Sequence, residues 1–145
     1  MSLNIQGAVQ SYSKVANESG VMNATPYRII QMLMAGALDR ISAAKGLIKR
    51  GDIIGKGKQV SDAISIINGL RRSLDHKIGG EIAANLDALY DYMVRQLMHA
   101  SVHNDIDILD EVGRLLNTIK NGWDNIPDPA AGKTGVASQS VGISA

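Results

Sequence analysis

Apolar residues recur at spacings of three and four through four stretches of this chain, the repeat that gathers side chains on one face of a helix. In the first stretch Ile30, Leu33, Met34, Ala37, Leu38, Ile41, Ala44 and Ile48 form the stripe. Thr25 followed by Pro26 marks its start: a threonine oxygen accepts from an orphan backbone donor, and proline at the first helical position forfeits no hydrogen bond. Lys45, Lys49 and Arg50 sit where cations oppose the negative end of the helix dipole, and Gly51 suits the left-handed closing position. The first helix is therefore expected over Pro26 to Arg50.

Asp52 then caps a second helix whose stripe is Val60, Ala63, Ile64, Ile67, Leu70 and Leu74, with Gly79 and Gly80 as its stop. Gly55, Gly57 and Gly69 each cost about 1 kcal/mol relative to alanine inside a helix, so its opening turns are expected to fray unless packing holds them. A third stripe is Ile82, Leu86, Leu89, Met93, Leu97 and Ala100. The fourth is Ile108, Leu109, Val112, Leu115, Leu116, Ile119 and Trp123. The connection from Val102 to Asp105 is short, with Asn104 or Asp105 as cap, which forces the last two helices to run antiparallel.

The pattern thus predicts an all-α fold, an antiparallel up-down-up-down four-helix bundle over residues 25–126. A polar, flexible N-terminal arm (residues 1–24) precedes it. A tail (residues 127–145) rich in Gly, Ser, Thr and Ala follows Pro127 and Pro129; with few large apolar groups it is expected to be disordered.

Composition narrows the function. With no cysteine among 145 residues, disulfides, thiolate chemistry and Cys-type zinc sites are excluded. No stretch approaches the roughly 20 apolar residues that span a bilayer, and the polar start lacks a signal pattern. A soluble cytoplasmic protein without membrane insertion is expected. Fifteen Lys and Arg against fourteen Asp and Glu leave a formal charge of +1, too little to draw in nucleic acid. The basic groups Lys45, Lys49, Arg50, Lys56, Lys58 and Arg71, Arg72, Lys77 have no interleaved aromatics and read as solvated, dipole-compensating surface.

Candidate chemistry is sparse. His99 and His103 stand four apart, a spacing that could place two imidazoles on one metal, but inward Glu residues and Glu-x-x-His pairs are missing, so the pair reads as solvated or capping. Asp107 and Asp110 fall where a helix dipole favours negative charge, and Asp87 and Asp91 define no pocket. Nucleophile–base, P-loop and GxGxxG patterns are absent. No catalytic residue, cofactor or metal is assigned.

Interaction is the better theme. Tyr90 and Tyr92 flank the third stripe on opposite sides, which puts at least one phenol at a helix boundary or on the surface. Ile29, Met32, Leu47, Ile53, Ile54, Ile66, Ile78, Met98 and Ile106 lie off the stripes, a surplus that suits either self-association or a groove for another amphipathic segment. Ile66 and Tyr92 are candidate anchors on that surface.

The run Leu89, Tyr90, Asp91, Tyr92, Met93, with Leu97 and Ala100 following, resembles the helix-three signature of FliS, the flagellin-specific chaperone family of flagellar type III export. Ala24, Thr25 and Pro26, Gly51 and Asp52, Asn104 and Asp105, and Glu111, Val112, Leu115, Leu116 and Trp123 resemble the same family, so the likeness runs from Tyr12 to Trp123. Gly55, Gly57 and the tail depart from it. The resemblance implies a chaperone that binds the flagellin C-terminal segment, prevents premature polymerisation and presents cargo to the export gate, without cofactor; a monomer or weak dimer is expected. It also implies that the arm carrying Val9 and Tyr12 folds over the cargo surface, with Tyr12 the residue carried over. The competing readings are a dimeric helical adaptor with no unfolded client and a metal-dependent bundle enzyme.

Overall fold

A threonine at position 25, aspartates at 52, 75 and 105, and one left-handed glycine and one left-handed asparagine cut residues 24–128, the part of the chain that the computed structural model describes, into four helices. They are α1 (Pro26–Arg50), α2 (Ile53–Arg72), α3 (His76–His103) and α4 (Ile106–Asp124). Val9 and Tyr12 of the arm, and the tail beyond Asp128, lie outside the described residues.

Each start carries the expected device. Thr25, Asp52 and Asp105 accept from the backbone nitrogens of Arg28, Gly55 and Ile108. Gly51 closes α1 in the left-handed conformation, and Asn104, at φ 54°, closes α3 directly before Asp105 opens α4. Gly55 is needed for a close approach: a Cβ there would come within 2.7 Å of the capping Asp52 carboxylate. The opening turn of α2 is therefore helical, its glycine making room for the cap rather than fraying the helix.

The helices form a ring. α1 packs on α2 and α4, α3 packs on α2 and α4, and the backbones of the two diagonal pairs stay more than 8 Å apart, Cα to Cα. Cross-links between opposite ends fix the antiparallel order. Lys56, early in α2, donates to the Ser101 carbonyl near the end of α3 at 2.6 Å, and Arg71, late in α2, meets Asp87 in the first half of α3 at 2.9 Å. Lys45, late in α1, pairs with Asp110 early in α4. Met34, Ile67, Leu70, Met93, Leu97, Leu109, Val112 and Leu116 fill the centre. Burying each such side chain stabilises the fold by about 1.5–3 kcal/mol.

Three details differ from the sequence expectation. The second helix stops at Arg72, not at Gly79 and Gly80: Ser73 Oγ donates to the Leu70 carbonyl, and Asp75 accepts from the nitrogens of Lys77 and Ile78 to start α3 early. Gly80 then breaks α3 after one turn, at φ 51° and ψ −123°, a conformation in which a side chain would be strained. The α3 seam is Ala83, Leu86, Tyr90, Met93, Leu97 and Ala100, so Ile82 and Leu89 fall beside it and are exposed. Ile29, placed among the surplus, is buried in the core.

Candidate functional site

α3 and α4 pack least closely of the four neighbouring pairs, and the apolar residues that lie off their seams face each other there. On α3, Asp87 and Asp91 are on the side that meets Arg71 of α2. Ile82, Leu89 and Tyr92 lie on the other side, towards α4, since Tyr92 donates to Glu111 of α4 at 2.8 Å. On α4, Asp110 turns to Lys45 of α1, which leaves Ile108, Leu115 and Ile119 on the α3 side with Glu111. The result is an apolar seam whose floor is half-buried and whose α3 lip is exposed.

At the end of the bundle that holds the chain's entry into α1, this seam opens into a cavity of about 270 Å³. Ile30 and Met34 of α1, Leu70 of α2, Ile82, Leu86 and Tyr90 of α3, and Ile119 and Trp123 of α4 line it, and the turn Leu74–Gly79 forms its rim. Two of the most exposed large apolar side chains stand at this mouth, Ile78 at 87% and Ile82 at 72%. The Gly80 break places them there, because it turns the first four residues of α3 away from the axis of the rest. Exposed isoleucines continuous with an apolar cavity are the surface feature that marks a binding site for another apolar segment.

Tyr90 forms part of the cavity wall. Its ring is buried to 2% exposure, and its hydroxyl, without a hydrogen-bond partner among the described residues, is not sealed from solvent. Burial pushes its pKa from 10.0 up to about 12. Tyr90 is thus a core residue that shows only one edge to the cavity. Tyr92 is half-buried at the far end of the seam, where the Arg95 guanidinium sits 5.9 Å from its ring centre. The hydrogen bond to Glu111, with burial second, raises its phenol pKa.

Ile66 lies elsewhere. It is one turn from Asp62, whose carboxylate approaches Arg40 of α1 at 3.8 Å, so it sits on the α1 side of α2 and packs against the core. The structure brings Tyr90 and Tyr92 to one seam and leaves Ile66 outside it; Tyr12 lies outside the described residues. The sequence reading missed Ile82, Ile119 and Trp123 as cavity residues. The signal available was Ile78, directly before Gly79 and Gly80, an apolar residue at a break that belongs to none of the four stripes.

Three of the acidic groups weighed for catalysis have structural partners. Asp87 and Asp91 hold Arg71, and the Lys45 ammonium keeps the Asp110 carboxyl below the usual range. Among the described residues no three His, Cys, Asp or Glu side chains cluster as metal ligands, and no helix is long and apolar enough to cross a membrane.

Comparison with known proteins finds relatives along most of the chain. The profile of the family described as flagellar protein FliS matches residues 8–130. A flagellar secretion chaperone FliSB from Pseudomonas aeruginosa is 47% identical over 119 residues, covering 82% of this chain and 94% of that protein. A flagellar secretion chaperone FliS from Vibrio cholerae is 43% identical over 85% of this chain and 90% of that protein. One from Salmonella typhimurium is likewise 43% identical, over 85% and 92%.

Proposed function

We propose, from the premise that this chain belongs to the FliS family of flagellar proteins, that it is a flagellar export chaperone whose apolar seam holds the C-terminal segment of flagellin. The observation that carries this reading is the continuity between the exposed Ile78 and Ile82, the cavity beneath them and the seam between α3 and α4. An amphipathic helix laid in such a groove buries its apolar face at spacings of three and four. The segment that seats there gains helix on binding, so folding and association are coupled and carry a negative heat-capacity change.

In this reading the chain acts in the cytoplasm as a monomer or weak dimer, keeps flagellin from polymerising early and passes it to the export gate. It needs no catalytic residue, cofactor or nucleic acid. The residues that contact cargo are Ile78, Ile82 and Leu89 on the lip, with Tyr92 at the far end of the seam. Ile66 marks a second contact on the α1 side, and Tyr12 belongs to an arm that cargo displaces. Tyr90 serves as the floor.

The test is a pair of lip variants, Ile82→Ser and Leu89→Ser, titrated with the flagellin C-terminal segment. Both residues are already exposed, so melting temperature should change little while the double variant binds at least about tenfold more weakly, a loss of about 1.4 kcal/mol. Unchanged affinity in the folded double variant would remove the seam from the binding surface.

A further inference from the structure

The two histidines near the end of α3 belong to no part of the seam. His99 and His103 are exposed, neither hydrogen-bonds to another of the described residues, and their rings lie 4.3 Å apart, centre to centre, with planes at 44°. Imidazoles four apart on one helical face, with rings this close, can share a divalent ion. We propose that His99 and His103 form a two-imidazole site for a divalent ion of the Cu²⁺ or Ni²⁺ class, with water completing the coordination shell.

The position favours a cation. His103 is the last helical residue of α3, where backbone carbonyls present the negative end of the helix dipole, and the capping Asn104 adds no charge. Of the charged groups near this helix end, the Lys56 ammonium takes the Ser101 carbonyl, and Arg95 is paired with Asp91. Neutral imidazoles are the preferred nitrogen donors for such ions, and the Irving–Williams order places Cu²⁺ highest. Bridging positions four apart pins the last turn of α3, so the ion stabilises the folded chain by mass action.

The experiment is calorimetric titration of the full chain, prepared without a histidine tag, with nickel chloride, alongside His99→Ala, His103→Ala and His76→Ala. His76 is the third histidine of the chain and lies at the opposite end of α3. The parent and His76→Ala should bind one Ni²⁺ with equal affinity and melt higher in its presence. Each of the other two variants should lose at least tenfold in affinity and show no rise in melting temperature. Equal binding by all four proteins, or tighter binding of Zn²⁺ than of Ni²⁺ by the parent, would overturn the proposal.

Discussion

Tyr27 and Trp123 join the first turn of α1 to the last turn of α4 by three contacts at once. Their rings stack with centres 5.4 Å apart, Trp123 Nε1 donates to the Tyr27 carbonyl at 3.1 Å, and the Tyr27 hydroxyl lies 3.0 Å from the Trp123 carbonyl and 2.6 Å from that of Ile126. The clasp closes the ring of helices beside the cavity mouth, and it holds the carbonyls just past the end of α4, where no helical donor remains. Tyr27→Phe keeps the stack and removes the hydroxyl, so urea unfolding should show a loss of about 1 kcal/mol with an unchanged slope. A neutral substitution would mean that water serves those carbonyls equally well.

The α3 register makes a sharper prediction. Leu97 is fully buried whereas Leu89 is 38% exposed, although both are leucines on the same helix. Leu97→Ala should cost about 2–5 kcal/mol, and Leu89→Ala well under half of that. Equal losses in denaturant titrations would return Leu89 to the core and shift the seam by one residue.

Tyr90 should mark the alkaline limit of the fold. Its phenol is held neutral by burial, so the folded state binds that proton more tightly than the unfolded chain; this contribution is complete below pH 10.0 and is lost as pH rises through about 12. The full difference amounts to roughly 3 kcal/mol. Tyr90→Phe, which has no proton to lose, should show a flatter decline in unfolding free energy between those two pH values than the parent. Parallel curves would show that another group sets the alkaline limit.

Much of this architecture could be read along the chain because local chemistry and periodicity agree there. Thr25 with Pro26, Gly51 with Asp52, and Asn104 with Asp105 each combine a stop or a cap with a change of stripe, and each boundary falls where those residues put it. The boundary between α2 and α3 is hidden in the sequence because Leu74 continues the α2 spacing past the true end, and the Gly79–Gly80 pair draws the stop away from Asp75, the residue that caps α3. Leu89 and Tyr90 were indistinguishable by period, since either completes a run through Leu86, Met93 and Leu97. The cavity was not legible at all. It depends on how far α4 stands from α3 and on the Gly80 turn, which are properties of packing between helices rather than of any one stripe.

The position of Trp123 gives binding its own reporter. It is the single tryptophan of the chain and lines the cavity, so an apolar segment entering beside it should shift its emission to shorter wavelength. The shift should saturate with cargo and be reduced in Ile82→Ser. Emission that does not respond to bound cargo would place the occupant away from the cavity.

The central claim is that the C-terminal segment of flagellin is what the α3–α4 seam holds. It is tested most directly by calorimetry of this chain against full-length flagellin and flagellin lacking that segment. The account predicts tight binding of the full-length protein with a negative heat-capacity change, and loss of binding on truncation. Equal affinity for both forms would contradict it.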